Sequence, residues 1–451
     1  MKDLIQKIKR KVKSGFTLKT KKKKSLLGLS YSRRKSSGKK KGRGKFKNAI
    51  ILTILIGCVL LLLVGFLINV YKLGSVKFEK AYKDDSIVED GEEWTGEGRI
   101  NILLIGMDKR EGEFGFVDAL AVVMVDSSDS SIGVFSINPD IVITVPQEPT
   151  HQSRLRNLYN WGILENKGIP IEILTSGVES LLSIKIDRYL IINEEGLVEL
   201  VNVLGGVYVK NSSSFSDSDI QSSVGGNFDL EEGSYRLSGS DLLSFLQADD
   251  DSIDNKLHRQ VIGIEGFLKR ATSYIAFLKL STFLDISSKQ IYTDLSKSEL
   301  IWVVYKIMRF KEVKTSYSRL NSLRSVETER AIEYYPTLDQ LDQDIQKVFI
   351  DKRVGKEQAR VEVFNSTSVK GLASSKARWL RNIGVDVIRV GDSAASLEKT
   401  TIYTREEGKY TYTIDAIKRS FDEDVEVMEG ELPNLVSTGD VIVVLGENGS
   451  K

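Results

Sequence analysis

The order of apolar and polar positions divides the chain into an arm, one long apolar run, a polar stretch and a body of short alternating elements. Residues 49–70 contain no charged residue and consist mainly of Ile, Leu and Val. At about 1.5 Å per residue such a run makes a helix about 33 Å long, enough for a hydrocarbon core of about 30 Å. A transmembrane helix is therefore predicted over 49–71, followed by a polar, acidic stalk over 72–98. The body opens with three short apolar runs, 100–106, 119–125 and 132–137, the last ending at Asn138-Pro139-Asp140. Short apolar runs bounded by turn residues predict strands in the buried centre of a sheet. Charged groups at the ends of such strands are where sheets of this kind meet ligands. Here those ends carry Asp108, Arg110, Asp118 and Asp140.

Further along, helical spacing over 171–184 precedes a strand over 188–193 and a short helix over 194–203 that Gly205-Gly206 stops. A strand follows at 207–209, and the serine-rich stretch 211–226 predicts a loop. Helices are predicted over 238–248, ending in Asp249-Asp250-Asp251, and over 256–280, long and amphipathic. Alternating strands and helices predict a fold of the α/β class, with a central sheet flanked by helices over 99–330. Residues 331–357 are expected to form a linker with some helix, broken at Tyr335-Pro336. Beyond it, 358–448 predicts a smaller α/β sandwich of two strand–helix–strand units.

The charge distribution adds a direction. Residues 1–48 hold 20 Lys and Arg residues against one acidic residue, so this arm carries +19 while the whole chain carries +2, leaving −17 on the remainder. The arm has too little apolar surface to fold alone and is expected to be disordered. Basic flanks stay on the cytoplasmic side of a membrane span, so the body is expected outside the cytoplasmic membrane. Lipid headgroups suit the arm; without aromatic interleaving or a recognition helix, nucleic acid does not. The apolar run is too long for a cleaved signal peptide. Cys58, within that run, is the only cysteine, so the body has no disulfide, thiolate nucleophile or cysteine metal site. Two histidines, His151 and His258, are too few for a histidine metal cluster. Neither a dinucleotide-binding nor a phosphate-loop glycine signature is present.

Several segments in order carry a resemblance: Asn-Ile-Leu-Leu-Ile-Gly-Met-Asp-Lys-Arg over 101–110, Ser136-Ile137-x-x-Asp140, Tyr159-x-x-Gly162 and Ile186-Asp187-Arg188-Tyr189. Leu204-Gly205-Gly206-Val207, Leu237-Ser238-Gly239-x-x-Leu242 and Arg259-Gln260 continue the series. Together with the basic arm and single span, residues 99–330 resemble the LytR-CpsA-Psr family, and the tail from Val361 resembles the C-terminal domain often attached to it. The resemblance implies a membrane-anchored phosphotransferase that moves a glycopolymer from a polyprenyl-pyrophosphate carrier onto peptidoglycan. It further implies that Asp108 and Asp118 hold Mg²⁺, that Arg110 faces phosphate, and that Asp140, Lys256, Arg259 and Gln260 belong to the catalytic set. Hard oxygen ligands suit Mg²⁺, and arginine forks suit phosphate. Arg154 and Arg156, beside the matching Tyr159, are candidate substrate-binding cations. Leu242, Leu243, Leu257, Ile262 and Ile264 either line an apolar lipid cavity or are plain core.

Departures from the family pattern leave the activity open. Where the family has Arg-x-Asp-Thr this chain has Phe116-Val117-Asp118-Ala119, and its Pro-Arg-Asp is Asn138-Pro139-Asp140. The family's Arg-x-Arg is Gln247-Ala248-Asp249, and a further arginine has become Lys256, which keeps charge but not the fork. Losing one transition-state donor costs about 2.7–4 kcal/mol. Two expectations follow: a working phosphotransferase whose clamp uses Lys109, Arg154 or Arg156 instead, or a catalytically degenerate relative that binds lipid-linked polymer or organises envelope enzymes. A transcriptional role finds little support in an arm without a recognition fold.

Overall fold

The computed structural model describes residues 93–450, apart from 109–114, 166–168, 222–226, 249–251, 274–275, 277–278, 329–331, 395, 407, 422–424 and 431–435. The expected arm, membrane span and most of the stalk lie outside the described residues, as does Arg110. No described helix is long and apolar enough to cross a membrane.

Six strands form the central sheet: β1 (Arg99–Asp108), β2 (Phe116–Asp126), β3 (Ser131–Ile137), β4 (Arg188–Asn193), β5 (Ile291–Thr293) and β6 (Glu312–Tyr317), in the order β5-β4-β1-β2-β3-β6. β1, β2 and β3 run as an antiparallel meander, whereas β4 joins β1 and β6 joins β3 in parallel. The sheet is mixed because β1 and β2 turn back directly, while β4 returns through two helices.

Successive side chains on a strand point to opposite faces, so a strand buried on both sides is apolar throughout. Leu103, Ile105, Leu120, Val122, Phe135 and Ile137 enter the larger core on one face. That face is covered by α1 (Leu155–Leu164) and α2 (Pro170–Leu182). The alternate positions Ile100, Ile102, Val125, Ile132 and Val134 fill two smaller clusters on the other face. A short helix, α3 (Glu194–Val203), then α4 (Gly239–Gln247), α5 (Ile253–Ala271) and α6 (Lys297–Ile307) follow in the chain. Of these, α5 and α6 supply Val261, Leu268 and Val303 to that second face. Gly239 opens α4 against α3 so closely that a Cβ there would lie 2.2 Å from the Val198 carbonyl oxygen, a position only glycine can hold.

Three expectations need correction. Residues 331–357 are not a linker: they carry α7 (Leu338–Phe349), whose Leu341, Ile345, Val348 and Phe349 are fully buried in the larger core. The serine-rich loop contains a hairpin, Phe215–Gln221 paired with Asn227–Leu230, held by Phe215 and Phe228 packed under α4. The long helix expected to run to 280 ends at Ala271.

The second sheet consists of β7 (Arg360–Asn365), β8 (Asp386–Asp392), β9 (Thr401–Thr404), β10 (Glu426–Glu429) and β11 (Val441–Leu445), ordered β8-β7-β11-β9-β10. β7 with β8 and β9 with β10 are the two parallel strand–helix–strand units, and β11 lies between them. Its helix α8 (Leu372–Asn382) is fastened to the first domain. Arg378 pairs with Asp342 of α7 at 2.6 Å and donates to the Leu181 carbonyl at 2.8 Å and to Ser183 Oγ at 2.7 Å.

Beside this joint Glu179 of α2 accepts a hydrogen bond from the Ile186 amide at 2.7 Å. Burial pushes its carboxyl up from an ordinary 4.5 to about 7, against the pull of nearby Lys185. The folded chain thus holds a proton that the unfolded chain releases, so the contribution of Glu179 to stability is complete below pH 4.5 and is lost as pH rises to about 7. Urea unfolding from pH 4.5 to 8 should show Glu179→Gln gaining on the parent by on the order of 1–3 kcal/mol across that interval. A constant difference would contradict the shift.

Candidate active site

The carboxylates singled out by sequence meet at one edge of the central sheet. Along β1 and β2, Gly106 pairs with Ala119 but Met107 pairs with Val117, which leaves Asp118 as the extra residue of a β-bulge. A bulge of this kind re-aims a side chain. Val117 and Leu120 both enter the larger core, so Asp118 and Ala119 between them turn to the opposite face. Gly106 points the same way, since a Cβ on it would meet the Ala119 Cβ at 3.1 Å. By strand alternation so does Asp108 at the end of β1. Sequence proximity alone would have put Asp108 and Asp118 on either face; the bulge gives them a common one.

Asp140 follows the end of β3, at the same edge, because β3 is antiparallel to β2 and Ile137 pairs with Leu120. Its turn is fixed by Asn138, which accepts from the Asp140 amide at 2.9 Å and donates its own amide to Ser318 Oγ at 2.8 Å. Arg156 Nε stands 2.9 Å from the Asp140 carboxylate and Arg154 Nη1 3.7 Å from it, all three side chains being about a quarter exposed. The two arginines flank the start of α1, whose Arg156 amide bonds the Pro139 carbonyl at 2.9 Å. The structure therefore brings Asp140, Arg154 and Arg156 together as a cluster with one positive charge in excess.

Helix α5 crosses the shared face. Gln260 accepts from Ser136 Oγ of β3 at 2.7 Å in a buried hydrogen bond, while Val261 and Leu268 further along meet Ile132 and Val134. The helix thus runs antiparallel to β3 and brings its first turns to the carboxylate edge. Lys256, one turn before Gln260, is half-buried and has no salt-bridge partner among the described residues. Arg259 takes a different place. It is buried, its ring of donors spent on the Phe245 carbonyl at 3.1 Å and on the Ala248 carbonyl, and its guanidinium lies 4.6 Å from the centre of the Phe215 ring. Its fork closes the C-terminal end of α4, where unpaired carbonyls need donors. Leu242 and Leu257 are fully buried; Leu242 packs with Phe215, Phe228 and Phe245 as core. Ile262 and Ile264 pack against two different clusters.

One residue of this edge was passed over in the sequence. Glu194, at the end of β4, accepts a hydrogen bond from Gln247 Nε2, one of the positions where the expected arginine is missing. The strand-end rule that marks Asp108 marks Glu194 too, but an acidic residue in a first helical turn has an ordinary role. His258 is half-buried against Tyr317, with ring centres 5.8 Å apart, and burial together with the charge of Arg259 lowers its pKa. His151 stacks on Trp161 at 5.0 Å.

Among the described residues no group of three or more His, Cys, Asp and Glu is arranged to hold a metal ion. Asp108 and Asp118 remain a pair of hard oxygen donors. A pair fits Mg²⁺, which keeps several waters and binds through one or two carboxylates together with phosphate oxygens.

Comparison with known proteins finds matches along most of the chain. The model of the LytR_cpsA_psr family matches residues 65–348, and that of a domain described as LytR cell envelope-related transcriptional attenuator matches residues 358–448. A relative from Oceanobacillus iheyensis, named polyisoprenyl-teichoic acid–peptidoglycan teichoic acid transferase TagU, is 27% identical over 206 residues, 45% of this chain. A protein of the same name from Halalkalibacterium halodurans is 31% identical over 202 residues, 43% of this chain. The match spans 60% of the length of each relative. The solved structure of TagT bound to LIIa-WTA aligns with 59% of this chain and 96% of its own, at 18% identity and a TM-score of 0.46.

The differing places of the two α5 cations make a prediction. Arg259→Met should destabilise the fold by about 2–4 kcal/mol, because two helix-end carbonyls lose charged donors. Lys256→Met should stay within about 0.5 kcal/mol of the parent. Urea unfolding followed by circular dichroism distinguishes them, and equal effects would overturn the assignment of Arg259 to the α4 terminus.

Proposed function

Because the chain belongs to the LytR-CpsA-Psr family, we propose that it is a membrane-anchored transferase. It would move a glycopolymer, with its phosphate, from a polyprenyl-pyrophosphate carrier to peptidoglycan outside the cytoplasmic membrane. The names of the two transferase relatives and the shared face of Asp108 and Asp118 support the reading. In this transfer an acceptor hydroxyl attacks the phosphorus beside the sugar. The pyrophosphate P–O bond breaks, polyprenyl phosphate leaves with the electron pair, and the hydroxyl proton passes to a base.

Each group at the edge has a part. Asp108 and Asp118 would hold Mg²⁺, which would neutralise charge on the phosphate oxygens. Arg154 and Arg156, which together with Asp140 carry one excess positive charge, would receive phosphate at the end of β3. Asp140 keeps the two arginines oriented, and Lys256 adds a point charge from α5. Gln260 and Arg259 position α5 rather than meet the phosphate. Arg110, two residues after Asp108 in the sequence, would face phosphate as the resemblance implies.

The burial of Arg259 favours a second reading, a degenerate relative that binds the lipid-linked polymer without turning it over. The family's other arginines are replaced here by Phe116, Pro139, Gln247 and Asp249, so few forks remain.

Full-length protein in mixed micelles, given polyprenyl pyrophosphate and Mg²⁺, separates the two. The transferase reading predicts metal-dependent release of polyprenyl phosphate that Asp118→Ala lowers by about 10²–10³ and Arg156→Ala lowers as well. Tight lipid binding without release would contradict it and support the binding role.

A further inference from the structure

We propose that the outer face of α6, carrying Ile301, Trp302, Val304, Tyr305 and Met308, rests on the surface of the lipid bilayer; the inference rests on the membrane anchoring proposed above. Helix α6 is apolar on two sides. Leu300, Val303 and Ile307 pack with Ile100, Ile102 and Val125 of the sheet. Ile301, Val304, Tyr305 and Met308 recur at the spacing of one helical stripe and are 46%, 43%, 42% and 53% exposed, with Trp302 beside them at 39%. Single exposed apolar residues are ordinary, but a contiguous stripe marks a surface that meets something.

The chemistry of the stripe selects a bilayer. The Trp302 and Tyr305 rings meet edge to face at 5.8 Å. Lys306 lies over both rings, at 5.8 and 6.0 Å, and Arg309 lies 5.1 Å over Tyr305 while donating to its hydroxyl at 2.7 Å. Tryptophan and tyrosine interleaved with long basic side chains is the composition of the membrane–water boundary, where rings lie at headgroup depth and amines reach to the lipid phosphates. A protein interface would instead be depleted of lysine.

The path of the chain selects the same occupant. The Trp94 amide donates to Glu299 of α6 at 2.9 Å, and Ser298 donates to Glu93. Gly96 lies beneath the indole of Trp302, so close that a Cβ would stand 2.6 Å from the ring. The described chain thus begins on α6 itself. Residues 71–92 alone separate this point from the apolar run 49–70, and their contour cannot exceed about 75 Å. A tether of this length keeps the bilayer at high effective concentration. Ile100 and Ile102, beneath α6, share by alternation the sheet face of Asp108, so docking through α6 turns the face of the carboxylates toward the lipid.

The test uses full-length protein with Cys58→Ser and a single nitroxide-labelled cysteine, Val304→Cys, in vesicles of equal parts phosphatidylglycerol and phosphatidylcholine. A second protein carries the label at Ile388→Cys, an exposed position of β8. Electron paramagnetic resonance compares collision with oxygen, which concentrates in lipid, and with a nickel chelate, which stays in water. The expected result is oxygen dominant at 304 and nickel dominant at 388. Nickel dominance at both sites overturns the docking. Exclusion of both reagents at 304, meaning a covering segment of this chain, also overturns it, as does spin–spin broadening from a second copy. Extraction of the protein by alkaline carbonate would overturn the anchoring and the docking with it, so the two failures are distinguishable.

Discussion

The arrangement of the carboxylate edge depends on the β-bulge at Asp118. Without the extra residue β2 would stay in register with β1, and Asp118 would take the place of Val117 against the larger core. A charged group there would have to be desolvated without a partner, at a cost of several kcal/mol. With the bulge, two apolar residues, Val117 and Leu120, keep the core continuous while Asp118 and Ala119 pass to the other face. Gly106 and Ala119, the small pair opposite each other, leave that face open beside the carboxylates. One irregularity in the ladder thus keeps the core apolar and gives the two carboxylates a common face.

The basic side chains of the described residues divide between the fold and the carboxylate edge, and Arg188, which pairs with Ile102 in the ladder, lies at the opposite end of the sheet from Asp108. Arg259 ends α4, Arg188 holds buried Glu299 at 2.5 and 3.0 Å, and Arg378 fastens the second domain, so the forks of all three are in use. Arg154 and Arg156 are also engaged, but with a partly exposed aspartate at the surface, and Lys256 has no salt-bridge partner among the described residues. In the proposed site, positive charge would come from Arg154 and Arg156 at the start of α1 rather than from the end of α4, as the family pattern implies.

Much of the scaffold was legible in the chain. The strand over 188–193 and the helix over 194–203 have the expected bounds, because apolar runs and stop signals such as Gly205-Gly206 act locally. What was not legible depends on partners distant in sequence. The bulge is a property of two paired strands, and no residue type announces it. Arg259 resembles a phosphate ligand in sequence, and only the packing of α5 under α4 reveals where its donors go. Residues 338–349 carry apolar groups at Leu341, Ile345, Val348 and Phe349, a helical stripe obscured by four charged residues among its neighbours and by Pro336 before it. That stripe belongs to the first domain because the face of the sheet it covers would otherwise be bare.

The central claim is that Asp108 and Asp118, on their common face, join phosphate to a divalent cation. The direct measurement is Mn²⁺ binding to the full-length protein, followed by electron paramagnetic resonance, with and without polyprenyl pyrophosphate. If the carboxylates and the lipid phosphates share one ion, the lipid should raise Mn²⁺ affinity by about tenfold or more, and Mn²⁺ should raise lipid affinity equally. Asp108→Asn should abolish that coupling. Mn²⁺ affinity unchanged by the lipid, or coupling intact in the variant, would contradict the account.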